Sequence, residues 1–453
     1  MSRRAGLALA LGAAAACAGS TPAPVPSPGP DTVAARPGPP APTPIPLPAP
    51  APPRRMLAGV RLALVGDINL GTSTLADGIP PDSGRTLLSA VGPSLQGDLV
   101  IGNFEGVLAD TGTSAKCARM RLEDRARARA KAASRPRPSA ARKARAERLR
   151  ARRAKADSIL ADSLRAQGLH ADSLRADSLL ARINPPDTTA ARPGCYAFRT
   201  PVMLAPRLVE AGFTHLNLAN NHANDYGPAG VASTQRTLDS LGLRWYGPLG
   251  RIAIDSVRRG DSVTVVGLIG FATYPYAYDL LDVARSAQVV DSVRRLVDLL
   301  VVTFHGGAEG RRALRVPEAA ESLGREPRGE LRRWARAMVD AGADAVVGHG
   351  PHVLRGMEFY RGRLIAYSLG NFLTYRGFNL EGPLGVTGVL QLEFAPGQRL
   401  ARARLVPLVQ RPKEGPTPDP EGTAARLVGE LSAEDFGPTA ATMISDGTIR
   451  PPP

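Results

Sequence analysis

From residue 60 onward, short apolar runs recur along the chain, and each stops abruptly on polar residues. "VRLALV" (60–65) runs into Asp67, and "DLVIG" (98–102) into Asn103 and Glu105. "FTHLNLA" (213–219) runs into Asn221, His222 and Asp225, "LLVVTF" (299–304) into His305, and "ADAVVG" (343–348) into His349. Stretches with the period of an amphipathic helix lie between them: 87–95, 201–212, 230–242, 287–298 and 330–342. "RLIAYSLGNFL" (363–373), "TGVLQLEF" (387–394) and "LARARLVPLV" (400–409) read as a closing set of antiparallel strands. Strands alternating with helices predict an α/β fold.

In such sheets the C-terminal strand ends line one rim, where ligands bind. Asp67, Asn103, Glu105, Asn221, His222, His305, His349 and Asn371 all sit just past a predicted strand. One polar strand end means little. Six independent strands ending this way are hard to explain by packing alone. Asp, Glu, Asn and His suit Mn, Fe, Zn, Mg or Ca, and a mixed set with two carboxylates suits a one- or two-metal centre. His215 lies inside its strand and reads as a packed core histidine. Asp225 could instead cap the following helix, Asn371 could be a turn residue, and Glu309 could sit at the surface of a helix start.

Composition then limits the picture. The chain has 453 residues, net charge +16 and three cysteines. Between Lys116 and Lys155, 17 Lys/Arg face 3 Asp/Glu. The basicity therefore belongs to one segment, and no nucleic-acid partner follows for the rest. Residues 1–17 read as a signal peptide, with Arg3 and Arg4 before a short apolar run. Cys17 follows "AAA" as in a lipobox, although Ala14 stands where that motif prefers Leu. Lipidation at Cys17 or ordinary cleavage would both give an exported protein, in the first case anchored to the membrane of the cell envelope. Residues 18–53 form a linker, 15 of the 33 residues from 21 to 53 being proline, which makes a semi-rigid spacer.

The remaining domain spans 54–412 and is interrupted by an Arg/Ala-rich, low-complexity insert at 116–192. Its "ADS" repeats step by five residues, which drifts about 140° per repeat on a helix and builds no apolar stripe. A charged, partly helical excursion is expected, able to meet anionic lipid or polymer, or else simply solvated. Residues 413–453 read as a C-terminal extension, partly disordered. With Cys17 lipidated, Cys117 and Cys195 remain in an oxidising compartment. They bracket the insert and are expected to form a disulfide.

"GDINLG", "GNFEG", "LANNHANDYG", "HGGAE", "GHGPHV" and "YSLGNF" together resemble, in order and context, the CapA family of bacterial capsule and poly-γ-glutamate synthesis proteins. That family is similar to the calcineurin-like metallophosphatases. The resemblance implies a metallophosphatase-like double β-sheet sandwich flanked by helices. It implies that Asp67 and His352 hold one divalent metal ion, Asn221, His305 and His349 another, and that Glu105 bridges them. It gives His222 the part of general acid or electrophile, with Asp225 beside it as a second candidate catalytic residue. Asn103, Glu309 and Asn371 complete the candidate site. Two departures stand out: Asn69 replaces the second residue of an Asp-x-His pair, and His349 and His352 are three apart rather than two.

Two functions compete at this stage. One is a metal-dependent hydrolase or transferase, phosphoesterase-like, using Mn, Fe, Zn or Mg. The other is a non-catalytic envelope protein holding an anionic polymer, such as poly-γ-glutamate or its precursor, beside the subunits of a membrane synthase.

Overall fold

The computed structural model describes residues 56–133, 148 and 195–453. The expected leader, Cys17, the proline-rich linker and most of the insert lie outside the described residues. Two sheets carry the fold. The larger runs, in spatial order, through Thr442–Met443, Thr448–Arg450, Leu400–Gln410, Val386–Phe394, Val60–Asn69, Leu99–Phe104, His215–Asn217 and Arg244–Tyr246. Asn371–Thr374 pairs in parallel with the end of Val60–Asn69. The second sheet runs through Met357–Tyr360, Arg363–Ala366, Ala345–His349, Leu299–His305, Ser262–Ala272 and Ala253–Arg259.

The two-residue period of a strand explains the layering. In Val60–Asn69, Leu62 and Leu64 face the second sheet, joining a core with Leu268, Val301 and Val347. Ala63 and Val65 face the other way, where Leu208 and Leu238 come from the helices Pro206–Glu210 and Gly227–Ser240. In the second sheet, Ile269, Leu300, Val302 and Val346 meet Val290, Val293, Trp334 and Met338 of the helices Val283–Arg294 and Leu331–Asp340. Strands apolar on both faces are what an α/β sheet needs. The result is the double sheet sandwich flanked by helices that the resemblance implies.

Several expectations need correction. Residues 87–95 form turns and a 3₁₀ stretch at Gly92–Ser94; Leu87, Leu88, Val91 and Leu95 are buried at helical spacing, but Gly92-Pro93 stops a helix. "RLIAYSLGNFL" is two strands in different sheets, Arg363–Ala366 and Asn371–Thr374, and both make parallel pairings. Residues 413–453 are ordered where partial disorder is expected. Helix Thr423–Phe436 buries Ala424 and Val428 in the inter-sheet core, and Thr448–Arg450 adds to the larger sheet.

The start of the insert is also placed. Ala115–Ala133 is helical. Cys117 and Cys195 are disulfide-bonded with Cα atoms 5.8 Å apart, and Val107–Leu108 pairs in parallel with Arg199–Thr200. Among the described residues no helix is long and apolar enough to cross a membrane.

Candidate functional site

Strand register brings the site together. Asp67 pairs with both Asn103 and Asn371, and Asn103 pairs with Asn217, so four polar strand ends stand at one level of the larger sheet. His305 and His349 are register partners at the end of the second sheet. Gly66 lets the chains approach, since a Cβ there would lie 1.9 Å from the Gly370 carbonyl oxygen. His352 has a left-handed backbone (φ 62°), rare for a residue with a side chain. That turn returns its ring to Asp67 although it stands three residues past His349.

Asp67 and Glu105 are fully buried. His352 Nδ1 lies 2.9 Å from Asp67 Oδ2, and His349 Nδ1 3.6 Å from Asp67 Oδ1. His305 Nδ1 lies 3.1 Å from Glu105 Oε1 without the alignment of a hydrogen bond. Asp67, Glu105 and His352 bring one candidate ligand atom each within 4.8 Å of one another. Glu309 Oε2 stands 3.8 Å from His352 Nε2.

The electrostatics follow from this crowding. Burial opposes a charge on Asp67, but His349 and His352 outweigh it and hold its carboxyl well below the usual range. Burial and then the nearby Asp67 push Glu105 well above its usual value. Burial also opposes a charge on His352, but Glu105, Asp67 and Glu309 outweigh it and push the ring up to about 10. Burial, then Arg328, hold His305 well below its ordinary value. The carboxylates thus draw positive charge to the His352 ring, a charge a divalent cation could supply.

The donor atoms fit such a cation. Glu105 Oε2, Asn221 Oδ1, His305 Nδ1, His349 Nδ1 and Asn371 Oδ1 are all buried without a hydrogen-bond partner. Buried polar atoms are rarely left so. Those of Glu105, His305, His349 and Asn371 stand with Asp67 and His352, and that of Asn221 adjoins His222 in the chain; together they make an N/O set of the kind that holds Mn, Fe, Zn or Mg.

His222 stands beside this set. Its Nδ1 is 2.8 Å from Asp225 Oδ2, which also accepts from the Phe198 N–H at 2.8 Å. The carboxylate therefore fixes the Nδ1 side of the ring and leaves Nε2 as the nitrogen able to exchange a proton. Burial, then Lys116, hold His222 below its ordinary value against the pull of Asp225. Asp225 does not cap the next helix, whose N-cap is Tyr226 without a side-chain bond. Phe378 packs beside both histidines, its ring 5.2 Å from that of His352 and 6.5 Å from that of His222.

The other residues singled out from sequence take supporting positions. Asn103 donates through Nδ2 to Asp67 Oδ1 (2.8 Å) and Glu105 Oε1 (3.2 Å), and accepts through Oδ1 from Asn217 and Asn220. Asn371 Nδ2 donates to the His352 and Leu384 carbonyls, holding the His352 loop. Glu309 accepts from Arg328 at 2.8 Å. Asn69 ties two strand ends, donating to the Glu105 carbonyl and accepting from the Gly71 N–H. His215 lies in its strand with Thr214 and Asp255 as neighbours, away from the rim.

Sequence reasoning missed Asn217, Asn220, Arg328 and Lys116. Arg328 is fully buried between His305, Glu309, Glu326 and Tyr274. It comes from a hairpin, Glu321–Leu323 with Glu326–Gly329, that no apolar run announces. Asn217 and Asn220 could have been found: each sits in or beside the quoted asparagine-rich stretch, at the same strand end.

Residues 182–376 match the profile of the family described as bacterial capsule synthesis protein PGA_cap. The chain is 34% identical to the PGA biosynthesis protein CapA of Bacillus subtilis, over 38% of this chain and 45% of that one. It is 32% identical to the capsule biosynthesis protein CapA of Bacillus anthracis, over 37% of this chain and 42% of that one. The chain thus spans less than half the length of these relatives. Among solved structures, an NAD nucleotidase of Haemophilus influenzae aligns at 11% identity over 51% of this chain and 42% of that one, with TM-score 0.27. Four of the six motif-bearing strand ends, those of Asn221, His305, His349 and Asn371, fall inside the matched segment, and over it the chain is similar to the CapA proteins of bacterial capsule synthesis.

Proposed function

We propose that the protein is a metal-dependent, phosphoesterase-like hydrolase or transferase serving the synthesis of a capsule polymer such as poly-γ-glutamate at the cell envelope. The observation that carries this reading is the set of orphaned buried donor atoms beside the His222–Asp225 pair. A site that only holds a polymer needs neither a buried carboxylate pair nor a histidine whose ring is fixed by an aspartate. Asp67, Glu105, Asn221, His305, His349 and His352 would hold the ion or ions. When bound, a divalent ion would polarise a phosphoryl or carbonyl oxygen and acidify water.

The protein's own groups divide the remaining work. Asn103 orients both carboxylates through one amide. Asp225 keeps the His222 proton on Nδ1, so that Nε2 can take or give a proton at the substrate. Phe378 packs beside the His352 and His222 rings and limits water there.

The test is elemental analysis of purified protein together with hydrolysis of bis-p-nitrophenyl phosphate. Asp67→Ala, Asn221→Ala and His305→Ala should each lower bound metal while unfolding remains cooperative. His222→Ala should keep the metal and lose turnover by about 100-fold or more, the usual contribution of a positioned acid or base. Wild-type protein that takes up no metal from metal-replete solution would sink the hydrolase reading and favour a polymer-binding role.

A further inference from the structure

Lys116 opens the segment that sequence composition assigns to the insert, and it lies outside the 182–376 match. Yet its ammonium lies 3.2 Å from Asp225 Oδ1, 3.4 Å from His222 Nδ1 and 3.5 Å from the Asn221 carbonyl oxygen. Its backbone N–H donates to the Asp225 carbonyl at 3.1 Å, and Ser114 Oγ donates to the same oxygen. Asp225 is fully buried. A buried carboxylate needs a compensating charge, and among the described residues Lys116 is the only lysine or arginine paired with it. The neighbouring Cys117 is tied to Cys195, three residues before the Phe198 N–H that also serves Asp225. Both ends of the insert therefore meet on one carboxylate.

We propose that Lys116 is a positioning residue of the candidate centre. It holds the Asp225 carboxylate that fixes the His222 ring, and the Cys117–Cys195 bond keeps Lys116 in place. Lys116 acts through Asp225 and need not touch substrate. The low-complexity chain beyond it is dispensable for this task, whereas its first two residues are not. This inference rests on the part given to His222 above.

The test compares Lys116→Met and Lys116→Arg with wild type, and with a deletion of 120–190 that keeps Lys116, Cys117 and Cys195. The direct readout is the 15N NMR signals of the His222 ring, assigned by their loss in His222→Gln. Lys116→Met should unfold cooperatively, keep its metal content, and shift both ring nitrogens as the fixed tautomer is lost. Its kcat on bis-p-nitrophenyl phosphate should fall about ten-fold with KM nearly unchanged, a part of what a positioned acid or base contributes. Lys116→Arg should recover most of both, and the deletion should match wild type. A Lys116→Met protein with wild-type His222 signals overturns the proposal, as does an arginine variant impaired as much as the methionine one. If wild type hydrolyses no phosphodiester, the hydrolase reading falls, while the NMR comparison still decides the role of Lys116.

Discussion

Replacing Asn103 with alanine tests the centre through a residue that is not a candidate ligand. Its amide makes four buried hydrogen bonds: to Asp67 Oδ1 at 2.8 Å and Glu105 Oε1 at 3.2 Å, and from Asn217 at 3.0 Å and Asn220 at 3.1 Å. Asn220 keeps a second bond to the Phe104 carbonyl, and Asn217 a long one to that of Ala219. The carboxylate oxygens lose more, since Asp67 Oδ1 is otherwise met only by His349 at 3.6 Å. A buried group left unsatisfied costs about 1–3 kcal/mol, more when charged. Water entering the vacated space recovers part of this, so Asn103→Ala should lose about 3–5 kcal/mol in chelator-treated protein.

Metal affinity should fall as well, because the amide orients two candidate ligands at once. Loss of such a support typically costs about 10- to 100-fold in affinity, or about 1.4–2.7 kcal/mol. Urea unfolding with EDTA and with Mn2+ measures both numbers, and titration calorimetry checks the second. Asn103→Asp keeps the shape but turns the two donated bonds into repulsions. It should be less stable than Asn103→Ala in EDTA and should gain more on adding metal, having a third carboxylate to offer. If Asn103→Ala stays within about 0.5 kcal/mol of wild type in EDTA and binds metal equally well, the convergence on Asn103 has no energetic meaning and this account of the site is wrong.

Two predictions concern the frame of the site. Burial lowers His215 from its ordinary value to about 4, against the partial pull of Asp255. Its folded value is depressed, so its contribution is complete above about pH 6.5 and is lost as pH falls toward 4, by at most about 3 kcal/mol; urea unfolding of His215→Gln should be flatter over that window, and an unchanged slope would refute the assignment. Arg355 is fully buried and pairs bidentately with Glu321 at 2.7 and 3.0 Å. Arg355→Met should cost about 3–5 kcal/mol by stranding that carboxylate, and adding Glu321→Met should recover much of it; a double variant no better than the single one would show that the pair is not the source of the loss.

The sandwich was legible because burial on both faces leaves continuous apolar runs, and Val60–Asn69, Leu299–His305 and Ala345–His349 are such runs. Helices were less legible where proline or glycine interrupted a correct apolar spacing. Leu87, Leu88, Val91 and Leu95 bury as a helix face would, but Gly92-Pro93 leaves turns instead. The end of the chain was misread for a different reason. Thr423–Phe436 is only weakly apolar, and what holds it is the space between sheets that Ala424 and Val428 fill, while Phe436 packs into the core on the other face of the second sheet. That space belongs to the fold, and no local pattern reports it.

The site divides along the same line. Residues that end strands were found, because strand ends are visible in sequence and parallel register then puts them side by side, as with His305 and His349. The residues that charge and orient them arrive from elsewhere: Arg328 from a hairpin 23 positions past His305, and Lys116 from 106 positions before His222. Neither stands in a motif, and each looks in sequence like one more surface cation in a basic chain. What distinguishes them is burial. Arg328 is fully enclosed and Lys116 mostly so. Enclosing a cation costs several kcal/mol unless anions repay it, and the anions here are Glu309 and Glu326 for one, Asp225 for the other. Of these carboxylates, Glu309 stands beside the candidate ligand His352, and Asp225 holds the candidate proton carrier His222. A change at either cation should therefore reach the chemistry without touching a ligand, which is why residues outside the strand-end motifs are the more informative ones to alter.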